Sequence, residues 1–199
     1  MCGRYALTED WGAVIAAFGI HETVGEYAPN DDVAPGQMVA ALVAAADGHR
    51  RAGLVRWGLP RPGGTGGGRS VMINARSETV FEKPTFRRLM ARRRCLIPAS
   101  SYYEWKAEED GRRRVRIRLA QRRLFAFAGL YDVWVGEDGA RSAGCVILTR
   151  EPNAELAAVH DRMPVILRGE DEALWLDPTA LREDVASLLR QETEKMYVL

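Results

Sequence analysis

Between residues 112 and 119, Arg112, Arg114, Arg116 and Arg118 alternate with Val115, Ile117 and Leu119 behind them. Side chains of a strand point to opposite faces in turn, so this period of two describes a strand with one wet face and one dry face. Glu108-Glu109-Asp110-Gly111 supplies the turn of a hairpin with the extended run Tyr102-Tyr103-Glu104-Trp105-Lys106. Further strand-like segments are 38–45 and 51–57, paired around Ala46-Asp47-Gly48-His49, then 71–73, 95–98, 124–135 and 144–149. Helical spacing marks residues 8–18, with Thr8 as N-cap and Gly19 as stop, and residues 84–90, 151–159, 171–175 and 181–189. Pro60 to Gly68 reads as a glycine-rich connector; no Gly-Lys-Ser/Thr follows it, so it is no phosphate loop. These segments predict an α+β fold, a mixed and mainly antiparallel sheet curved into a barrel-like core with helices around it.

One domain over residues 1–199 suits a chain whose 47% hydrophobic content can fill a single core. No window approaches 18 consecutive apolar residues and no basic stretch precedes an apolar one at the start. The expectation is a soluble cytoplasmic protein, nucleoid-associated if bacterial, with no membrane contact. Cys2, Cys95 and Cys145 are widely spaced without a CxxC, and only His21, His49 and His160 accompany them. Neither a disulfide framework nor a metal site is indicated, and no cofactor is expected. The net charge of +1 hides an asymmetry, because residues 87–123 carry 13 Arg or Lys against 4 acids. Arg92-Arg93-Arg94 and the alternating run from Arg112 to Arg118 suit either a phosphate-binding surface or solvated faces, and composition does not choose between them.

Cys2 stands directly behind Met1 and ahead of Gly3-Arg4-Tyr5. Removal of Met1 leaves a cysteine whose free α-amine sits beside its own thiol. With the amine titrating at about 7.7 to 8.0 and the thiol at about 8.5, a useful fraction of each is nucleophilic near neutrality without special tuning. Such a pair attacks an aldehyde twice, nitrogen forming a Schiff base and sulfur closing a five-membered thiazolidine. An internal cysteine lacks the amine.

Eight motifs then occur in order: Met1-Cys2-Gly3-Arg4-Tyr5, Ala34-Pro35-Gly36-Gln37, Trp57-Gly58-Leu59, Asn74-Ala75-Arg76-Ser77-Glu78-Thr79, Arg94-Cys95-Leu96-Ile97-Pro98-Ala99, Tyr103-Glu104-Trp105, Phe127-Ala128-Gly129-Leu130 and His160-Asp161-Arg162-Met163-Pro164. Together they resemble the SOS-response-associated peptidase (SRAP) family, over nearly the whole chain. The resemblance implies capture of abasic sites in single-stranded DNA, or at single-strand/double-strand junctions, as a crosslink through the mature N-terminal Cys2. A monomer is expected. Carried over by position, Asn74 matches the asparagine that positions the sugar or the amine, Glu104 the carboxylate that moves protons, and His160 the imidazole beside the Schiff base. Arg4, Arg76, Thr149 and Arg162 match phosphate contacts, with pairing of Glu78 or Asp161 to Arg76 or Arg162 as the structural alternative. The residues themselves allow duller roles: a turn cap for Asn74, an arginine partner for Glu104, a helix-end core histidine for His160. An unpaired carboxylate in the aromatic run around Glu104 is, however, costly.

The chain departs from the family pattern at Asp32, where asparagine is frequent, and an acid there repels phosphate unless paired. Leu59 runs into Pro60-Arg61-Pro62 where an aromatic residue usually lies, so a base-stacking platform is missing or supplied elsewhere. Ser101 and Tyr131 replace a frequent glycine and tryptophan. Two other functions start from the same residues. An N-terminal-nucleophile amidohydrolase also begins Met-Cys-Gly, but its Asn-Gly pair occurs nowhere in this chain. A non-covalent DNA-binding module needs only the basic segment.

Overall fold

Tyr5 anchors the start of the chain. In the computed structural model, which describes residues 2–25, 27–61, 71–135 and 139–199, Tyr5 lies in β1 (Arg4–Leu7). Its buried ring meets Trp57 and Phe127 edge-on, with centroids 5.3 and 5.6 Å away. α1 (Trp11–Phe18) is capped by Asp10, whose carboxylate accepts the Ala13 N–H at 2.8 Å. Thr8, the cap expected from sequence, pairs its hydroxyl with Ser100 instead. Gly19 ends the helix with φ 57, as the sequence predicts. β2 (Ile20–Val24) and β3 (Asn30–Val33) follow; both are short and mostly polar, so no alternation announces them.

β4 (Met38–Ala44) and β5 (Arg50–Trp57) form the expected antiparallel hairpin. β6 (Leu59–Pro60) and β7 (Val71–Met72) pair with each other, and β8 (Asn74–Arg76) continues the chain. Residues 62–70, most of the glycine-rich connector, lie outside the described residues. After α2 (Pro84–Arg92) come β9 (Arg94–Ala99), β10 (Ser101–Glu108), β11 (Gly111–Leu119), β12 (Phe125–Val135) and β13 (Arg141–Arg150). Residues 151–159 are not the helix that their spacing suggests. They form successive tight turns, in which Asn153 Oδ1 accepts the Leu156 N–H at 3.1 Å. That bond has N-cap geometry, but only isolated one-turn bonds follow it, from the Ala157 N–H to the Asn153 carbonyl and from the His160 N–H to the Leu156 carbonyl, both at 3.0 Å, and the turns do not propagate into a helix. β14 (Met163–Pro164), β15 (Ile166–Leu167), α3 (Glu172–Leu176), α4 (Arg182–Leu188) and β16 (Met196–Val198) complete the α+β fold.

The order β13-β12-β9-β4-β5 is antiparallel throughout, and parallel pairing of β13 with β5 closes these strands into a barrel. Closure removes the open edges that an antiparallel sheet would otherwise expose. A second sheet, ordered β16-β11-β10-β1-β3, packs beside it and carries the arginine-rich hairpin. Val115 and Ile117 face the core as the alternation predicts, and both are fully buried.

Gly144 sits at the closure, opposite Arg56 in β5. A Cβ there would fall inside contact distance of the Gly58 carbonyl oxygen, 3.1 Å from that of Arg56 and 2.9 Å from the Trp134 ring. Two of these three neighbours are backbone atoms and cannot swing away. Gly144→Ala is therefore expected to cost about 3 kcal/mol or more, at the upper end for overpacking, read as a lowered urea midpoint. An unchanged midpoint would show that the closure yields.

Candidate active site

Strand pairing delivers Cys2 to Glu104. β1 and β10 run antiparallel with Arg4 opposite Tyr103 and Tyr5 opposite Tyr102, which carries the residues ahead of Arg4 toward Glu104. Cys2 is fully buried and Glu104 is 2% exposed. On the other side, β8 lies parallel to β13 with Asn74 opposite Ile147 and Arg76 opposite Thr149. Asn74 Nδ2 donates to the Cys2 carbonyl at 2.9 Å, which fixes the height of the cysteine against the barrel end. The Asn74 Oδ1 is buried without a hydrogen-bond partner among the described residues.

His160 follows the turns of residues 151–159 and precedes β14, so it is not the helix-end histidine that the sequence allows. Its Nε2 stands 3.8 Å from Glu104 Oε2. Two groups compete for Nδ1: the Arg162 N–H donates to it at 3.0 Å, and the Asp161 carboxylate lies 2.7 Å away. The first contact needs a bare Nδ1 with the proton on Nε2, and the second needs the proton on Nδ1. The ring can thus hold a proton on either nitrogen, which suits a proton carrier. Glu104, His160, Trp105 and Arg112 line a cavity of about 320 Å³ that opens Glu104 and His160 to solvent, while Cys2 lies buried behind them. A larger cleft of about 940 Å³, between α1 and the residues around Arg122, is lined by neither cysteine nor histidine among the described residues, so chemistry and not volume selects the site.

Burial sets the electrostatics. It pushes the Cys2 thiol well above its ordinary range, and the Glu104 charge adds to that push, while a backbone hydrogen bond from Arg4 opposes it. With Met1 attached, burial therefore opposes ionisation of the Cys2 thiol; the expectation of a thiol partly ionised at neutrality concerns the Met1-free aminothiol. Burial likewise raises the Glu104 carboxyl, against the opposing influence of His160. A carboxyl whose affinity for protons is raised is what proton transfer near neutral pH requires.

The expected phosphate contacts separate into two kinds. Arg76 is exposed and has no ion pair among the described residues. Arg4 is 39% exposed and bonds Asp32 at 3.1 Å, and Asp32 also takes Arg114. The acid that departs from the family pattern is thereby paired. Thr149 and Arg162 face inward instead. Thr149 is 1% exposed, and its carbonyl accepts both the Ser77 N–H and an Arg162 N–H. Arg162 grips Glu78 with two bonds of 2.8 Å. Partial burial alone would raise the Glu78 carboxyl, yet the Arg162 bonds bring it below the usual range. This fork ties the segment bearing His160 to the segment bearing Asn74, the structural pairing left open by the sequence. Trp105 belongs to the Tyr103-Glu104-Trp105 motif, but sequence assigns it no role of its own. It is 36% exposed at the cavity mouth, and the alternation of β10 that buries Glu104 turns it outward.

Comparison with known proteins shows the family to which the chain belongs. The chain is 41% identical over 195 residues to the abasic site processing protein YoqW of Bacillus subtilis, covering 96% of this chain and 87% of that one. It is 30% identical over 185 residues to the abasic site processing protein YedK of Escherichia coli, covering 88% and 79%. A crystal structure of a protein from Bacteroides thetaiotaomicron superposes with a TM-score of 0.87 at 26% identity, over 99% of this chain and 90% of that one. The family model of the SOS response associated peptidase (SRAP) matches residues 1–199. The chain belongs to the SRAP family.

Proposed function

We propose that this protein processes abasic sites by capturing them in single-stranded DNA as a covalent adduct on Cys2, shielding the lesion during repair. The observation that supports this most is the convergence of Cys2, Asn74, Glu104 and His160 at one barrel end beside an open cavity. Met1 must first be removed, since an amide nitrogen does not attack an aldehyde. The freed α-amine then adds to the sugar aldehyde to give a carbinolamine, which loses water to a Schiff base. The Cys2 sulfur adds to the imine carbon, its proton passes to the imine nitrogen, and a thiazolidine closes. One water leaves and nothing is oxidised or reduced.

Each step moves a proton, and each mover is at hand. Glu104 takes the proton that the buried thiol retains and returns one to nitrogen, and His160 protonates the departing hydroxyl. Asn74, with its unpartnered Oδ1, holds the amine or a sugar hydroxyl. Arg4 and Arg76 hold phosphates, Trp105 offers a face for a neighbouring base, and Arg162 with Thr149 positions the His160 segment. Reaching Cys2 requires the lesion to be splayed from its neighbours, which favours single strands and junctions over continuous duplex. The same proton movers allow slow reversal and lyase-like strand cleavage from the Schiff base. The protein acts as a monomer in this scheme, and removal of Met1 is the peptidase step that its family name records.

Incubating Met1-free protein with abasic single-stranded DNA tests the proposal. The expected result is an adduct that survives denaturation and forms on no undamaged strand. An amidohydrolase or a non-covalent binding module gives no adduct, and either outcome overturns the proposal. The Asp32 pairing offers a second check. Asp32→Asn removes an acid that occupies Arg4 and Arg114, so single-strand affinity should rise several-fold at low salt and converge with wild type at high salt. Unchanged affinity at low salt would remove Arg4 from the DNA surface.

A further inference from the structure

The arginine run of β11 lies on one face, and that face leads away from the cavity. Cross-strand partners in an antiparallel pair share a face. The register therefore groups Ala107 with Arg112, Trp105 with Arg114, Tyr103 with Arg116 and Arg4, and Arg118 with Tyr197. The row begins at the cavity mouth, which Arg112 and Trp105 line, and ends at Tyr197, 51% exposed. Tyr103 holds its middle flat: the Arg114 guanidinium stacks 3.8 Å above the ring and that of Arg116 lies 5.5 Å from it.

Three of the four arginines in this row lack an acid partner among the described residues, in contrast to several arginines elsewhere. Arg113, the neighbour that points to the opposite face, is neutralised by Glu108 at 2.6 Å, and Arg51 and Arg162 are likewise paired with acids. Arg112, Arg116 and Arg118 have no carboxylate partner among the described residues; Arg114 shares Asp32 with Arg4. Alternate residues of a strand are spaced by about 6.8 Å, so the row from Arg112 to Arg118 spans about 20 Å. The step of about 6.8 Å between neighbouring arginines of the row is close to the spacing of successive phosphates along an extended single strand.

Resting on the function proposed above, we propose that Arg112, Arg114, Arg116 and Arg118 form a track for the phosphates of the strand that flanks the captured site, with Tyr197 offered to a base at its far end. The track reads backbone and no sequence. It lengthens the footprint beyond the lesion by a few nucleotides.

The test compares wild type with R116Q/R118Q and with the single reversal R118E, which alters an exposed side chain and keeps the test valid if the double variant is unstable. One probe is an undamaged single strand of roughly 20 nucleotides, titrated across salt; each lost phosphate contact should reduce the slope of log affinity against log salt by about 0.7. For two contacts, about 7-fold of the wild-type affinity loss between roughly 50 and 200 mM salt should disappear. R118E should weaken binding further. The second probe is a short abasic oligonucleotide that ends before the track, whose crosslinking rate these variants should leave unchanged. Unaltered slope and affinity in both variants overturn the track, as does equal weakening on duplex and single strand. Failure of the proposed function is seen separately, as absence of crosslinking by wild type on either strand length.

Discussion

Cys2→Ala is expected to eliminate the denaturation-resistant adduct with abasic DNA while leaving affinity for undamaged single strands at the wild-type level. The reason lies in which half of the aminothiol is lost. After Met1 removal the variant still presents an α-amine at the same place, held by the bond from Asn74 to the residue 2 carbonyl. It should therefore form the Schiff base, detectable by borohydride trapping, and fail only at ring closure, where no sulfur is present. Unable to close, the imine should hydrolyse or proceed to strand cleavage, so cleaved product rises as adduct falls. Cys2 is fully buried, and the loss of one sulfur from that position leaves a small cavity that thermal unfolding should register. Wild-type yields of a heat-stable adduct from Cys2→Ala in the absence of reductant would refute the assignment of the nucleophile.

Glu104→Gln is the second large effect, and it separates chemistry from stability. The amide keeps the shape of the carboxyl and removes its titration, so single-turnover crosslinking should slow by roughly 10²-fold or more. Wild type should show a pH-dependent limb that the variant lacks across about pH 5 to 9, the span within which catalytic groups are tuned. Stability should move the other way. Burial raises the folded-state affinity of Glu104 for its proton above that in the unfolded chain, whose ordinary value is 4.5. The folded protein then binds more protons than the unfolded one, and stability falls as pH rises from near that ordinary value through the raised one. Glu104→Gln has no such loss. The variant should match wild type in acid and exceed it at neutral and higher pH, a gain in stability accompanied by a loss of rate. A variant that crosslinks at the wild-type rate throughout would make Glu104 structural, and one that is destabilised at neutral pH would show that its charge is favourable where it lies.

Several local signals needed no tertiary structure to interpret. The alternation behind Arg112 marks β11 and its inward face, because side-chain direction in a strand follows from the backbone alone. The Gly19 stop and the hairpin at Asp47-Gly48 are local for the same reason, since a helix end and a tight turn are decided by a few adjacent dihedrals. The aminothiol of Cys2 follows from residue identity alone, and Asn74, Glu104 and His160 are its companions by the family resemblance that the ordered motifs carry.

What the sequence left undecided depends on residues far apart in the chain. Thr8 and Asp10 are both acceptable caps, and the approach of Ser100, 92 residues away, takes Thr8 out of the competition. Arg162 carries the same charge as Arg76, but only the fold sets Glu78 against it and turns it from a surface cation into a clamp. The ionisation of Cys2 reads as ordinary in sequence because the reference value belongs to a solvated thiol. Burial beside Glu104 raises it, and burial is a property of the closed barrel. Barrel closure itself pairs β13 with β5 in parallel across more than 80 residues, with nothing local to announce it. Sequence determined the chemistry that each residue can perform and the face on which neighbouring side chains lie; the tertiary structure alone decided which of them are dry and which are paired, because desolvation and ion pairing arise only between segments that folding brings together.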